Sequence, residues 1–169
     1  RQILAGLAAA RWPGRLETRH FRGVPLLLDG AHNPPAAVVL RQELDRMGGG
    51  GRTWLIGIQR HKDGAAVLRA LIGPEDRGLI VPIPDHRAWG LDELAAACPE
   101  LAGQLASVLE LEEGLQQLSG AAAGKGLPGS ALPVVAGSLY LLGAVMPLLD
   151  PLPARSPAPT DAAGPGLGS

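Results

Sequence analysis

The chain alternates short apolar runs with segments of helical periodicity, and this alternation constrains its fold more than any other feature. Six runs predict strands, at residues 15–22, 24–28, 53–58, 78–83, 105–109 and 132–136. Helical patterns lie between or after them, at residues 34–47, 65–72, 91–97, 110–118 and 138–149. Such alternation favours a mainly parallel sheet covered by helices on both faces. The sequence therefore predicts an α/β three-layer sandwich around a mostly parallel sheet of about six strands.

Local signals mark where several of these elements begin and end. Asn33 is a favourable N-cap, and Pro34 suits the first position of the helix that follows it. The glycines at residues 48–51 end that helix. Residues 121–130 are rich in glycine and predict a loop before the last strand.

Composition excludes several classes of partner. The formal net charge of the 169 residues is -1, so no basic surplus points to nucleic acid or to an anionic membrane surface. The single cysteine, Cys98, cannot form an internal disulfide, which favours a reducing, cytoplasmic compartment. Residues 131–149 carry no charge and approach the length of a membrane span, but a buried strand followed by a buried helix explains the same composition.

The two ends of the chain differ from its middle. The chain starts with Arg1, residues 2–7 already have a helical pattern, and no secretory signal is present, which indicates a cut inside a longer protein. Residues 151–169 are rich in proline and glycine and predict a disordered tail. We therefore assign residues 1–150 to one domain and residues 151–169 to the tail.

Polar residues cluster where the predicted strands end. The turns that follow four of the strands are residues 29–33, 59–63, 84–87 and 137–140, and they contain three of the four histidines. Ligands bind outside the carboxyl ends of the strands in sheets of this kind. These turns, which we call the rim, are the candidate site; the alternative is that they are only solvated turns.

The rim turn whose residues are easiest to relate to ligand binding follows the second strand; it is Asp29-Gly30-Ala31-His32-Asn33. A carboxylate at a strand end, here Asp29, can accept a hydrogen bond from a ribose hydroxyl. Gly30 allows the backbone to approach a ligand closely. His32 and Asn33 lie at a helix N-terminus, where free amides favour an anionic group. The structural alternative is that Asp29 helps to cap the helix and that His32 is a surface residue.

Other kinds of site are less well supported. The sequence has no Gly-x-x-x-x-Gly-Lys-[Ser/Thr] phosphate loop and no Gly-x-Gly-x-x-Gly after a strand. Ser138 lacks the Gly-x-Ser-x-Gly context of a hydrolase nucleophile, and Trp12 and Tyr140 are expected to pack in the core. A metal site of nitrogen and oxygen ligands is conceivable, although the spacing fits no zinc pattern; its members would be Asp29, His32, His61, Asp63, Asp85 and His86.

Four motifs, taken in order, resemble one family. They are Trp-Pro-Gly-Arg-Leu-Glu at residues 12–17, Leu-Asp-Gly-Ala-His-Asn-Pro at 28–34, Lys-Asp at 62–63 and Gly-Ser-Leu-Tyr-Leu at 137–141. Together they resemble the C-terminal domain of folylpolyglutamate synthase, which is often bifunctional with dihydrofolate synthase and belongs to the Mur ligase superfamily. The resemblance covers residues 1–149 and implies a Rossmann-like sandwich of the Mur ligase C-terminal domain type.

The resemblance also implies an activity, an ATP-dependent acid–amino-acid ligase. Such enzymes use ATP and Mg²⁺ to phosphorylate a carboxylate, and an incoming amine then attacks the acyl phosphate. The implied substrates are L-glutamate and a folate or dihydropteroate. The phosphate loop and the Mg²⁺ ligands belong to an N-terminal ATPase domain that this chain lacks, so the resemblance implies a fragment that is inactive alone. The ligase is expected to be a monomer.

The matching positions imply roles for six residues. Arg15 would contact ATP phosphates, Asp29 the ribose, and Asn33 would help to form the nucleotide site. His32 and Ser138 would lie near the acyl phosphate or the incoming glutamate, and Lys62 would offer positive charge to a carboxylate or phosphate. His61 departs from the family, which often has an acidic residue there.

Two rival interpretations remain open from the sequence. One is the C-terminal domain of another Mur-type amide ligase, acting on peptidoglycan or cyanophycin. The start at residues 12–17 and the Gly-Ser-Leu-Tyr motif argue against it. The other is a non-catalytic nucleotide-binding module, which tight nucleotide binding by the isolated chain would indicate.

Overall fold

The computed structural model describes residues 15–48, 50–124 and 131–152, which form a mixed sheet of six strands with helices on both sides. The strands are β1 (Glu17–Phe21), β2 (Val24–Asp29), β3 (Thr53–Ile56), β4 (Arg77–Ile80), β5 (Leu105–Ser107) and β6 (Val134–Ala136). They lie in the order β1-β2-β6-β3-β4-β5. Only β1 runs antiparallel to its neighbour, and the other neighbouring strands are parallel. The predicted, mostly parallel sheet is confirmed.

The helices form the two outer layers. They are α1 (Pro34–Met47), α2 (Gly64–Leu71), α3 (Leu91–Ala97), α4 (Leu111–Gly124) and α5 (Leu139–Val145), with 3₁₀ turns at Pro99–Gln104 and Met146–Leu148. Leu27, Trp54 and Ile56 pack on one side with buried residues of α1, α2 and α3. Leu28 and Leu55 pack on the other side with buried residues of α4 and α5. Successive strand residues point to opposite faces, so each central strand contributes to both cores.

Side chains cap α1 and α2 at their first turns. Asn33 Oδ1 accepts a hydrogen bond from the Ala36 N–H at 3.0 Å at the start of α1, as the sequence predicts. Asp63 Oδ1 accepts from the Ala66 N–H at 3.0 Å at the start of α2. Each cap satisfies a backbone donor that has no partner within the helix, which stabilises a helix by about 1 kcal/mol.

Several of the predicted boundaries are wrong. The strands predicted at residues 53–58, 78–83 and 105–109 end earlier, at Ile56, Ile80 and Ser107, and two helices end elsewhere than predicted. The helix predicted at residues 110–118 continues to residue 124, so residues 121–124 are helical and not part of a loop; the alanines there are strong helix formers. The helix predicted at residues 138–149 ends at Val145 and gives way to a 3₁₀ turn that contains Pro147, which has no N–H to continue an α-helix. Residues 1–14, 49, 125–130 and 153–169, with the predicted start and tail, lie outside the described residues.

The uncharged segment at residues 131–149 contains a buried strand, as predicted, followed by a helix that is buried on one face only, through Leu141, Leu142 and Val145. Among the helices that the structure describes, none has the length and apolar character needed to cross a membrane.

A polar network closes the end of the sheet that lies opposite the rim. Asp76, directly before β4, accepts hydrogen bonds from the Arg52 and Gly73 N–H groups at 2.7 and 2.9 Å. It also accepts from Trp54 Nε1 at 3.1 Å and forms an ion pair with Arg41 at 2.6 Å. These groups, which we call the Asp76 network, join β3, β4, α1 and the turn after α2.

Candidate functional site

The rim consists of loops that start side by side. Asp29 at the end of β2 is in register with Ala136 of β6, and Ala136 is in register with Ile56 of β3. Ile56 is in turn paired with Ile80 of β4. Because these strands are parallel, the loops that follow them emerge at one edge of the sheet. The predicted convergence of the polar turns at a single edge is therefore confirmed.

Asp29 is held inside the first of these loops. Its Oδ2 accepts from the Leu16 N–H at 3.0 Å, and its Oδ1 accepts from the Ala31 N–H at 2.8 Å. Burial raises the pKa of the Asp29 carboxyl; these two hydrogen bonds and the charge of Arg15 lower it, but not enough to offset burial. Each carboxylate oxygen has further acceptor capacity, which is available to a ligand hydroxyl.

His32 has its ring fixed by the same loop. Its Nδ1 lies 2.9 Å from the Gly30 carbonyl oxygen. A carbonyl only accepts, so Nδ1 carries the proton in this hydrogen bond, and Nε2 of the neutral ring is left as an acceptor. His32 is half-buried and lies directly before the N-cap of α1. The ring therefore presents one defined nitrogen at the rim.

A cleft of about 280 Å³ lies against this loop, close to the lower end of small-molecule sites. It is lined by Arg15, Leu16, Asp29, Gly30, Ala31, His32, Ala36, Val39, Leu40, Glu43 and Leu139. Arg15 is exposed, and its guanidinium forms no ion pair or hydrogen bond with another described residue. The cleft thus joins a free cation, a buried carboxylate and an imidazole to a wall that is largely apolar.

Three of the six predicted site residues converge in this cleft: Arg15, Asp29 and His32. Asn33 follows directly and uses its side-chain oxygen as a helix cap. Ser138 and Lys62 lie on neighbouring rim loops and do not line the cleft. The chemical role of each of the six stays a prediction.

Ser138 occupies a tight junction between two rim loops. Gly137 has a φ of +110°, and a Cβ there would lie 2.6 Å from the Gly57 carbonyl oxygen, so only glycine fits. Ser138 is 1% exposed, and its Oγ accepts from the Tyr140 N–H at 3.1 Å at the start of α5. This geometry gives the hydroxyl a structural task as a helix cap.

The loops after β3 and β4 pair with each other. The Arg60 N–H donates to the Arg87 carbonyl at 2.8 Å, and the Trp89 N–H donates to the Ile58 carbonyl at 2.9 Å. Trp89 Nε1 donates to the Lys62 carbonyl at 3.0 Å. Trp89 is not among the site residues that the sequence predicts, although a large aromatic residue in a polar turn is a signal that could have identified it.

Tyr140 is half exposed, which corrects the expectation that it packs in the core. Its ring lies 3.9 Å from that of His86 between centroids, tilted by 41°. The contact joins the loop after β4 to the start of α5, because Leu139 and Tyr140 face the rim while Leu141 and Leu142 fill the core. Trp12 lies outside the described residues.

The metal alternative has no support in the described stretches of the chain. No group of three or more histidine, cysteine, aspartate or glutamate side chains there is arranged to hold a metal ion. Asp63 is instead a helix cap, and Asp29 accepts one backbone hydrogen bond on each oxygen from its own loop. The described residues therefore do not form a metal site by themselves.

Comparison with known proteins identifies a family. The family model described as "Dihydrofolate synthetase, C-terminal domain" matches residues 15–148. Folylpolyglutamate synthase of Lacticaseibacillus casei is 33% identical over 144 residues, which are 85% of this chain and 31% of that protein.

Solved structures agree in fold. The chain is similar to Mycobacterium tuberculosis folylpolyglutamate synthase complexed with ADP, with a TM-score of 0.69 and 28% identity, over 85% of this chain and 34% of that one. It is also similar to the bifunctional folylpolyglutamate synthase/dihydrofolate synthase of Yersinia pestis complexed with AMPPNP and Mn ion. There the TM-score is 0.63 and the identity 26%, over 84% of this chain and 32% of that one. The chain thus spans about a third of the length of these relatives.

Proposed function

Because this chain belongs to the folylpolyglutamate and dihydrofolate synthase family, as its C-terminal domain, we propose that it forms one side of the active site of an ATP-dependent ligase. The ligase adds L-glutamate to a folate or dihydropteroate. The observation that carries the proposal is the cleft in which Arg15, Asp29 and His32 meet at the carboxyl edge of the sheet. Relatives solved with ADP and with AMPPNP support a nucleotide as its occupant.

The three side chains match three parts of a nucleotide. The Arg15 guanidinium has no ion-pair partner among the described residues and would bind phosphate oxygens. Asp29 would accept a hydrogen bond from a ribose hydroxyl through acceptor sites that its own loop does not use. His32 would direct Nε2 toward the reacting end of the nucleotide.

The reaction itself needs groups that the described residues do not supply. A substrate carboxylate oxygen attacks the γ-phosphorus of ATP, which forms an acyl phosphate and releases ADP. The amine of L-glutamate then attacks the acyl carbon, phosphate leaves, and the amine proton is lost to a base. Bound Mg²⁺ would supply charge neutralisation on the ATP phosphates. No metal-holding group exists in the described stretches, so we assign Mg²⁺ to the partner domain.

The partner is therefore an N-terminal ATPase domain, as in a protein about three times as long as this chain. What this chain contributes is positioning and charge stabilisation at one face of a split site. Cys98 is a buried free thiol, which suits the cytoplasmic compartment that we propose for the ligase.

The test is glutamate-dependent ADP release with a folate or dihydropteroate as acceptor. We expect release from the ligase that contains both domains and none from this chain alone, since half of the site is missing. Reactions without L-glutamate are the control. Release from the isolated chain would contradict the split site, and a two-domain protein that ignores L-glutamate but uses another amine would indicate a different Mur-type ligase.

A further inference from the structure

The backbone of the loop that carries Lys62 is held in place by three hydrogen bonds. The Lys62 N–H donates to the Gln59 carbonyl at 3.0 Å, and the Lys62 carbonyl accepts from the Gly64 N–H at 2.9 Å. The same carbonyl accepts from Trp89 Nε1 at 3.0 Å. Both backbone groups of Lys62 are thus occupied, while its ammonium forms no ion pair or hydrogen bond with another described residue.

Trp89 is the centre of this arrangement. The Arg60 guanidinium lies over its ring at 3.7 Å from the centroid, and Arg60 Nε is 3.2 Å from Glu93 Oε1. A Cβ at residue 64 would lie 2.7 Å from Trp89 Nε1, so the loop can approach the indole only because Gly64 has no side chain. We call Arg60, Gly64, Trp89 and Glu93 the Trp89 clamp.

We propose that Trp89 is a positioning residue, which acts through Lys62 to bind a carboxylate of the incoming amino acid. The inference rests on the proposed ligase function. A cation on a preordered backbone binds an anion with little further loss of conformational entropy. The clamp therefore lowers the entropy cost of binding without touching the substrate.

The position of the loop favours the amino acid over the nucleotide. Lys62 is absent from the cleft that holds Arg15 and Asp29, and its loop follows β3, which is two strands away from β2. Neighbouring strands are about 4.8 Å apart, so the two loops start about 10 Å from each other along the rim. Lys62 is thus placed outside the cleft proposed for the nucleotide, at a point of the rim where it could bind a second substrate.

The experiment measures kcat and the separate KM values for L-glutamate and ATP in the two-domain ligase, for Lys62→Ala, Trp89→Leu and the double variant. We expect Trp89→Leu to raise the KM for L-glutamate about threefold to tenfold, the range that one lost hydrogen bond implies. Its kcat and its KM for ATP should stay within about twofold of the wild type. The double variant should resemble Lys62→Ala alone, because the clamp acts only through the lysine.

Two further variants keep the test decisive if Trp89→Leu does not fold. Trp89→Phe retains a ring beneath Arg60 but loses the donor to Lys62, so its KM for L-glutamate should lie between those of the wild type and Trp89→Leu. Arg60→Ala removes the cation over the ring. Its matched control is Arg69→Ala, which removes a similarly exposed arginine that is paired with Glu100 and should change neither KM.

The inference would be overturned if the double variant raised the KM for L-glutamate by the product of the two single-variant increases. An unchanged KM for L-glutamate in both Trp89 variants would also overturn it. The proposed function fails separately, if the wild-type ligase shows no glutamate-dependent ADP release.

Discussion

Two buried aspartates lie at opposite ends of the same sheet, and their surroundings differ in kind. Burial alone would raise the pKa of Asp76. The hydrogen bonds that it accepts from Arg52, Gly73 and Trp54, together with the charge of Arg41, outweigh this effect and lower the pKa. Asp29 has only two backbone donors and the charge of Arg15, and burial raises its pKa. The difference separates a carboxylate that the fold has fully paired from one that retains capacity for a ligand.

The largest difference between the two aspartates should appear in the free energy of unfolding of their alanine variants. Asp76→Ala leaves Arg41 and two backbone N–H groups without their buried partner, so we expect a loss of about 3 kcal/mol in the free energy of unfolding. Asp29→Ala removes two backbone hydrogen bonds from a loop and should cost about 1 kcal/mol. Urea denaturation followed by circular dichroism measures both. The control is Asp45→Ala, which removes the exposed partner of Arg41 and should cost less than about 0.5 kcal/mol; equal losses for Asp29 and Asp76 would contradict the comparison.

For activity the ranking of the two aspartates should be the reverse, with the larger loss at Asp29 and the smaller loss at Asp76. In the two-domain ligase, we expect Arg15→Ala and Asp29→Ala each to lower kcat/KM at least about tenfold, since both would remove nucleotide contacts. Asp76→Asn should lower activity only in proportion to the unfolded fraction. His20→Ala, which changes an exposed residue of β1, is the matched control and should have little effect. Similar losses for Arg15, Asp29 and His20 would contradict the site assignment.

The two aspartates should also give pH dependences of opposite sign. The pKa of Asp76 is lowered on folding, so its contribution to stability is present above the unfolded value of about 3.9 and is lost as the pH falls through and below it. The pKa of Asp29 is raised, so the folded state binds its proton more tightly and the cost of burying the charge is relieved as the pH falls toward about 3.9.

The measurement is the difference in unfolding free energy between the wild type and each asparagine variant from neutral pH to acid. As the pH falls, the unfolding free energy of the wild type minus that of Asp76→Asn should decrease. The same difference taken with Asp29→Asn should increase. The same sign for both variants would show that the two carboxylates are equivalent.

The smallest effect on stability should come from substitution of Ser138. It tests whether this rim residue only caps a helix or also takes part in the reaction. As a helix cap, Ser138→Ala should cost about 1 kcal/mol, and Ser138→Gly only a few tenths of that. If the hydroxyl also acts near the acyl phosphate, both variants lose activity equally although their stabilities differ. Activity that follows stability in the two variants would limit Ser138 to the cap.

Much of the fold could be predicted from local pattern. Strand and helix periodicity located all six strands, and Asn33 correctly marked the start of α1. These features depend on residues within a few positions of each other. The end of α4 was misjudged, because the glycines after Leu118 outweighed the alanines in the sequence interpretation while the helix continued to Gly124.

The candidate site was predictable only in part. The resemblance pointed to Arg15, Asp29 and His32, and these residues share the cleft. Trp89 was missed, because its importance comes from contacts with Arg60, Lys62 and Gly64, which are more than twenty positions away. The Asp76 network was missed for the same reason.

The sequence by itself determined the elements, their caps and the polar turns after each strand, because these depend on periodicity and on hydrogen bonds within about four residues. Tertiary structure decided the order of the strands. It inserted β6 between β2 and β3 and so set Asp29 beside Ala136. It also decided that one buried aspartate has a raised pKa and the other a lowered one, since burial and distant donors depend on which segments pack together.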